Sequence, residues 1–169
     1  AKTEQSTINY AYHLDAGRDA RFLRRFSEEL GAVRIEGKIA QVQQHVNGDI
    51  RALVLESGQE VSGDLFIDCT GFRALLIEQT LKTGYERWDH WLPCNKAVVV
   101  QTEPGPTVPP YTRAIAHDSG WQWKIPLQHR VGNGLVYASD YLSDDNARQR
   151  LLDGLEAPAI MEPRVLSYQ

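Results

Sequence analysis

Gly120-Trp121-Gln122-Trp123-Lys124-Ile125-Pro126 is the stretch that most constrains the fold. Two tryptophans one residue apart suit a strand, in which successive side chains point to opposite faces. We therefore expect the tryptophans and Ile125 on one face, with Gln122 and Lys124 on the other. Pro126 cannot donate to a ladder, so the strand should end there or lie at an edge. The apolar face has two open interpretations, which are core packing and the lining of a functional site.

The composition favours one soluble globular domain that binds a small molecule. The chain has 169 residues, of which 42% are hydrophobic and 24% charged, as is typical of such proteins. The net charge of −4 is spread over interspersed acidic and basic residues, which argues against nucleic-acid and membrane-surface partners. No apolar run approaches the ~18 residues of a spanning helix and no signal-peptide pattern opens the chain, so we expect a cytoplasmic protein.

The sequence contains no self-sufficient catalytic motif. It has no glycine-rich dinucleotide fingerprint, phosphate-binding loop, His-Glu-x-x-His pair or Gly-x-Ser-x-Gly elbow. Cys69 and Cys94 lack metal-ligand spacing, which favours two reduced structural thiols. We expect no metal site, and a structural role for His90.

The pattern of the first half predicts a short strand or extended segment over 10–14, a helix, and then a small antiparallel meander. Asp15 suits a helix N-cap and Gly31 a helix stop. Apolar residues recur between them at helical spacing and predict a buried stripe. We expect strands over 33–36, 38–46, 50–56 and near 60–61, with a tight turn at Asn47-Gly48. The stripe consists of Ala16, Ala20, Leu23, Phe26 and Leu30.

Residues 64–71 have a different pattern. The continuous apolar run 65–67 predicts a parallel strand buried on both faces, ending at Thr70-Gly71. A helix is predicted to follow over 72–81. Ligands bind at this kind of junction in doubly wound sheets, although a plain strand-to-helix connection would have the same pattern.

The second half predicts an antiparallel layer. Its strands are expected over 97–101, 111–116, 120–127 and 134–139, with a proline-rich loop over 103–110 and a turn at residues 132–134. Ser143 should cap a final helix over 146–155. Pro158 and Pro163 should break the chain that follows.

Four segments, in this order, resemble the flavin-dependent tryptophan halogenases. In the first of them, Leu14 replaces the family's phenylalanine. The segments are Tyr10 with Tyr12-His13-Leu14-Asp15-Ala16-Gly17, Asp64–Gly71 with Phe72, Arg73, Leu75 and Leu76, Pro110-Tyr111-Thr112, and the double-tryptophan stretch at 120–126. The predicted helix, meander and strand ending in Thr-Gly also resemble the FAD-binding domain of the related flavin monooxygenases.

This resemblance implies an α/β fold with two parts. Residues 1–83 would form part of an FAD/NAD(P)-binding Rossmann-like domain with its β-meander, and residues 84–169 part of a substrate-side antiparallel sheet with a terminal helix. The chain would be an internal piece of a larger enzyme. The family's catalytic lysine and glutamate would lie outside it.

The resemblance also implies the chemistry. The family uses FADH2 from a separate reductase, oxygen, and chloride or bromide to halogenate tryptophan or a related indole. The active-site wall would consist of Trp121, Trp123, Ile125 and Pro126, and FAD would approach Ile39, Thr70 and Gly71. A homo-oligomer is left open by the sequence.

Two other functions remain open at this stage. A flavin-dependent aromatic hydroxylase would share the FAD-binding domain but has no need of two wall tryptophans. A non-catalytic binding module could use the same two indoles as an aromatic platform. Halide-dependent products would separate the halogenase from the hydroxylase, and bound flavin would argue against the module.

Overall fold

The computed structural model describes residues 11–168. Its elements are two α-helices, eight strands, a 3₁₀ turn and a π-helix. In chain order they are α1 (Ala16–Glu29), β1 (Ile39–Gln44), β2 (Ile50–Leu55), β3 (Glu60–Ser62), a 3₁₀ turn (Gly71–Arg73), a π-helix (Leu75–Thr80), β4 (Lys96–Thr102), β5 (Arg113–His117), β6 (Gly120–Pro126), β7 (Val131–Tyr137), α2 (Asp144–Asp153) and β8 (Arg164–Ser167).

The described chain divides into two compact units. The larger comprises the described residues up to Ser27 together with Asp89–Tyr168, and the smaller comprises Glu28–Trp88. None of the helices within residues 11–168 is long and apolar enough to span a bilayer.

The larger unit is built on a five-stranded antiparallel sheet in the order β5-β6-β7-β4-β8. Ser143 caps α2, since its hydroxyl accepts a hydrogen bond from the amide of Asn146. A core beside β4 and β7 consists of Val98, Val100, Leu135, Tyr137, Leu142, Ala147 and Leu151. The predicted antiparallel layer and capped helix are thus confirmed.

The smaller unit contains the predicted meander β1-β2-β3, with both strand pairs antiparallel. Gly48 and Gly58 lie in the two connecting turns with φ values of 92° and 85°, a region that glycine enters without steric cost. The turn at Asn47-Gly48 and the short third strand are confirmed.

Two predicted strands are absent from the described chain. Residues 33–36 and 65–67 have no strand structure, and Leu65 and Ile67 are each 80% exposed. A strand requires a hydrogen-bonded neighbour, and no described strand pairs with either segment. The prediction of a buried parallel strand ending at Thr70-Gly71 is therefore wrong for this chain.

Helix α1 begins and ends as predicted, but its apolar stripe is not buried. The amide of Arg18 donates to Asp15 Oδ1 over 3.0 Å, which makes Asp15 the N-cap, and Gly31 has the left-handed φ of 97° at the stop. No residue of α1 is buried. The periodicity identified the helix correctly, while the partner that should cover the stripe is not among the described residues.

Two further local predictions need correction, and one strand was not predicted. Residues 71–80 form a 3₁₀ turn and a π-helix, not one α-helix, because Ala74 adopts a left-handed φ of 43° between them. Residues 132–134 belong to β7 and do not form a turn. The strand Arg164–Ser167 was not predicted, and it pairs with β4 at the sheet edge. Residues 11–14 form no regular strand, and Tyr10 lies outside the described residues.

Candidate active site

Strand β6 separates two chemically different faces, as predicted. Gln122 and Lys124 are only 3% and 7% exposed, whereas Trp121 is 45% exposed on the opposite face. The two indoles are tilted by 50° with their ring centroids 5.8 Å apart. We call the surface formed by Trp121, Trp123 and Ile125 the tryptophan face. It is the open side of the strand and not its core side.

Pro126 ends β6 but does not belong to the tryptophan face. Strand alternation places it on the side of Gln122 and Lys124, and it is buried there. It is not at a sheet edge, because β6 pairs with β5 and with β7, where Pro126 lies opposite Val131. Of the four residues expected in the wall, the structure therefore groups three.

Trp123 packs directly against Gly134 on the neighbouring strand β7. The two residues are register partners, and a Cβ built on Gly134 would lie 2.1 Å from Trp123 Cζ2. Only a residue without a side chain allows the indole to lie this close to β7. Gly134 therefore reflects close packing within a sheet and not a turn, and this is why a turn prediction based on glycine content failed.

The opposite face of β6 is held by charge-assisted hydrogen bonds. Lys124 Nζ donates to the carbonyl of Gly154 over 2.9 Å and to Glu156 Oε1 over 2.8 Å. Arg113 donates to the same carboxylate oxygen over 2.9 Å. The Lys124 hydrogen bond leads the effects that lower the pKa of Glu156. As expected, Lys124 points away from the tryptophans and cannot act beside them.

A cavity of about 200 Å³ adjoins this polar face. Buried Thr102 and Asn133 contribute to its lining, as do Lys124, Arg113 and Glu156. Asn133 Nδ2 donates to Thr102 Oγ1 and to the carbonyl of Val131, each over 3.3 Å. These contacts satisfy the buried amide within the sheet.

Three of the four family-like segments meet at the end of β6. His13 Nδ1 donates to the carbonyl of Pro126 over 3.0 Å, so its Nε2 accepts from the hydroxyl of Thr112 over 3.1 Å. Asp15 Oδ2 accepts hydrogen bonds from His129 and Arg130. The segment before α1 is thereby tied to the end of the sheet where β5 begins, β6 ends and β7 begins, beside a cavity of about 680 Å³.

The fourth segment lies in the smaller unit, where Asp68 organises the Thr70-Gly71 turn. Asp68 accepts hydrogen bonds from both the amide and the hydroxyl of Thr70. Gly71 has a φ of 66°, and no heavy atom lies within 4 Å of the Cβ position. This open surface fits the approach of a flat or extended cofactor such as FAD, which could contact the turn through its backbone.

Ile39 is the first residue of β1 and lies opposite Leu55. It is partly buried, so a cofactor reaching it would meet mainly the strand backbone. Within residues 11–168 no cluster of three or more His, Cys, Asp or Glu side chains could hold a metal ion. Cys69 and Cys94 are both free thiols.

Comparison with known proteins decides the family. Residues 1–169 match the tryptophan halogenase family along their whole length. The chain belongs to this family. It is 41% identical over 143 residues to the tryptophan 7-halogenase RebH of Lentzea aerocolonigenes, a match that covers 82% of this chain and 27% of that protein. It is 39% identical over 145 residues to the tryptophan 6-halogenase SttH of Streptomyces toxytricini, covering 84% and 28%.

The fold agrees with that of solved halogenases. A flavin-dependent halogenase from Xanthomonas campestris superposes with a TM-score of 0.93 at 54% identity, over 99% of this chain and 34% of that one. The expected family and its mixed helix-and-sheet fold with antiparallel layers are confirmed. The chain spans little more than a quarter of the length of the two curated tryptophan halogenases.

Three residues that shape the site were not singled out from the sequence. Gly134 was assigned to a turn from its local pattern, whereas its role depends on the register of β6 with β7. His13 is part of a recognised segment, but its partners are about a hundred positions away. Asp68 is also part of a recognised segment, but it accepts from the amides of Leu76 and Ile77 only because the intervening loop folds back on it.

Proposed function

We propose that this chain is a segment of an FAD-dependent halogenase that uses reduced flavin, oxygen and chloride or bromide to halogenate tryptophan or a related indole. The observation that carries the proposal is the open tryptophan face of β6, found in a chain of the tryptophan halogenase family. The curated relatives that share this segment are named as tryptophan 7- and 6-halogenases.

We further propose that the two parts of the chain have different roles. Residues 1–83 belong to the FAD-binding domain, in which Ile39, Thr70 and Gly71 contact the cofactor. Residues 84–169 belong to the substrate-side layer, in which Trp121, Trp123 and Ile125 line the active site and Pro126 fixes the strand end. FAD supplies the capacity to activate oxygen. The residues named in this paragraph bind and orient FAD and shield the active site from solvent.

The catalytic lysine and glutamate of the family are proposed to lie outside these 169 residues. Lys124 is not a substitute, because its ammonium group is committed to Gly154 and Glu156 on the far side of β6. We also propose a cytoplasmic enzyme that receives FADH2 from a separate reductase. We propose that the whole enzyme can form a homo-oligomer, which a measurement of its mass in solution tests.

The central experiment measures the products of the complete enzyme that carries this segment. It should be supplied with FAD, a flavin reductase, NADH, oxygen, tryptophan or other indoles, and either chloride or bromide. A halogenated product whose isotope pattern follows the halide supports the proposal. A halide-independent gain of one oxygen would instead identify a hydroxylase, and a free-flavin control corrects for oxidant formed in solution.

Phenylalanine substitution tests the role of the tryptophan face in that enzyme. If Trp121 and Trp123 line the route of the oxidant, Trp121→Phe and Trp123→Phe should change halogen yield per folded molecule or the fraction of oxidant lost to solution. If they only pack, stability should fall by about 1–3 kcal/mol while yield per folded molecule stays unchanged.

A further inference from the structure

Three polar side chains are buried side by side on the sheet of the larger unit. Thr102 is 2% exposed, Asn133 4% and Lys124 7%. They lie on the neighbouring strands β4, β7 and β6, on the face that elsewhere carries the apolar core with Val100 and Leu135. Burying polar groups costs free energy unless they find partners. Polar residues at these positions therefore indicate a structural network or a ligand site.

The three residues line the cavity of about 200 Å³ described above, which has a polar and an apolar part. Its apolar part includes Pro106, Pro109, Tyr111, Leu127 and Val131. An apolar cavity of about 150 Å³ holds benzene. This cavity therefore has room for a single ring or a short aliphatic chain, and it is too small for a nucleotide.

The polar part offers hydrogen-bond donors that the described chain leaves unused. Lys124 Nζ has three donors, of which two bind the Gly154 carbonyl and Glu156 Oε1. Thr102 Oγ1 accepts from Asn133 Nδ2, so its own hydrogen is available, and it has no acceptor within residues 11–168. Free donors of this kind suit a ligand that carries acceptor oxygens.

Glu156 shows how these cations hold a carboxylate. Its Oε1 accepts from Lys124 over 2.8 Å and from Arg113 over 2.9 Å, so an ammonium and a guanidinium converge on one oxygen. The side chain of Lys124 is 9% exposed, whereas that of Glu156 is 65% exposed. The ammonium is fixed in the sheet, while its counter-ion can turn into water. Glu103 also lines the cavity, but it is exposed and pairs with neither cation.

From this geometry we propose that the cavity on the polar face of β6 is a binding site for a small monocarboxylate with an apolar body. The ligand carboxylate replaces that of Glu156 between Lys124 and Arg113, and the Thr102 hydroxyl is a further donor. The apolar body packs against the proline-rich loop 103–110. The site lies on the opposite side of β6 from the tryptophan face, so it is distinct from the proposed halogenation site, and its occupancy requires no turnover.

The test measures binding of benzoate to the complete enzyme by ligand-observed NMR. Benzoate should bind with a dissociation constant of about 1 mM or lower, the range expected for a ligand of its size. Benzamide has a similar shape without the charge. It should bind about tenfold more weakly, the scale of one lost charge-assisted hydrogen bond. Saturating tryptophan should not displace benzoate.

Three variants locate the bound benzoate. Lys124→Met and Arg113→Met each remove one cation and should weaken binding about tenfold. Arg113→Met carries this part of the test if Lys124→Met does not fold, because Arg113 is half-exposed. Glu156→Gln removes the competing charge and should strengthen binding several-fold, which a loss of folding cannot imitate. The control is Glu60→Gln, in an exposed ion pair of the smaller unit, and it should bind benzoate like the wild type.

Each contrary outcome overturns a stated part of the proposal. Absence of benzoate binding would show that the complete enzyme has no such site, as when another part of the chain fills the cavity. Equal binding of benzamide would contradict the carboxylate class. Benzoate binding that none of the three variants changes, or that tryptophan abolishes, would place it elsewhere in the enzyme. These measurements are independent of the product assay, so this inference and the proposed function can fail separately.

Discussion

At the scale of single residues, the tightest steric constraint on the tryptophan face is the contact between Trp123 and Gly134 of the neighbouring strand. Gly134→Ala would place a methyl group where Trp123 Cζ2 now lies 2.1 Å away, so the indole or the strand must move. We expect a loss of about 1–3 kcal/mol, as for other overpacked sites, and altered halogen yield per folded molecule. Denaturant unfolding and a product assay on the complete enzyme measure the two effects.

Gly132→Ala is the matched control for this substitution. Gly132 lies on the same face of β7, but the atom nearest to its Cβ position is 3.7 Å away, which is an ordinary contact. This variant should retain the product yield of the wild type. Equal effects of the two alanines on yield would show that the position of Trp123 is not what matters.

Asp15 gives a prediction for acid stability. The amide of Arg18, followed by Arg130 and His129, outweighs partial desolvation and lowers the pKa of Asp15 to about 2. A depressed folded-state pKa stabilises the protein above the unfolded value, about 4, and the contribution is lost as pH falls towards the folded value. We expect the unfolding midpoint of the wild type to fall more steeply between about pH 4 and 2 than that of Asp15→Asn.

The choice of asparagine isolates the charge, because asparagine can still cap α1. Arg130→Gln should retain part of the wild-type slope, since the amide of Arg18 continues to donate to Asp15. Parallel acid profiles for the wild type and Asp15→Asn would contradict the assigned role of this carboxylate.

At the scale of elements, sequence patterns succeeded where the stabilising partner is local. Helix α1, the Asn47-Gly48 hairpin and the alternation along β6 each depend on neighbours within a few residues or on the next strand. The patterns failed where the partner is distant or outside the described chain, as for residues 65–67. Strand β8 was missed because its four residues become a strand only by pairing with β4.

The same distinction applies to the candidate site. The two faces of β6 follow from its period of two, so they could be predicted from seven residues. The contact of Gly134 with Trp123 and the bridge from His13 to Thr112 depend on register and tertiary packing, which a single sequence does not specify.

Lys124 gives the prediction that belongs to strand β6 as an element. Its ammonium is nearly buried and joins the strand to the chain after α2, so Lys124→Met would leave the Gly154 carbonyl without this donor. We expect a loss of about 1–3 kcal/mol in denaturant unfolding of the complete enzyme. Arg113→Met is the control, because Arg113 binds the same Glu156 oxygen from a half-exposed position and should cost less than about 1 kcal/mol.

Comparing the two variants tests whether burial determines how much each hydrogen bond contributes to the free energy of unfolding. A smaller loss for Lys124→Met than for Arg113→Met would contradict the idea that Lys124 anchors the tryptophan strand from behind. A larger loss, with little change in halogen yield per folded molecule, would agree with an anchoring role that is separate from the chemistry.

At the scale of the whole molecule, the exposed apolar surface determines whether the isolated 169-residue chain associates with itself. Phe22, Leu23 and Phe26 lie exposed along α1, with the Phe22 and Phe26 rings stacked at 6.2 Å. Leu30 is exposed just after the helix, and Leu65 and Ile67 are exposed in the smaller unit. Exposed apolar side chains in this number favour association. The two units together also lack a glycine-rich phosphate loop for flavin.

We therefore expect the isolated 169-residue chain to self-associate, to purify without yellow flavin, and to be inactive with reduced FAD, oxygen, chloride and tryptophan. Light scattering should detect the association. Leu23→Gln with Phe26→Gln should shift the chain towards monomer, because these changes interrupt the stripe of α1. Val46→Gln is the control: Val46 is fully exposed but isolated on a hairpin turn, so its replacement should not change the association. Chlorotryptophan formed by this chain above a free-flavin control would contradict the prediction, because it would require an oxidant-handling residue among these 169 that we have assigned to other parts of the enzyme.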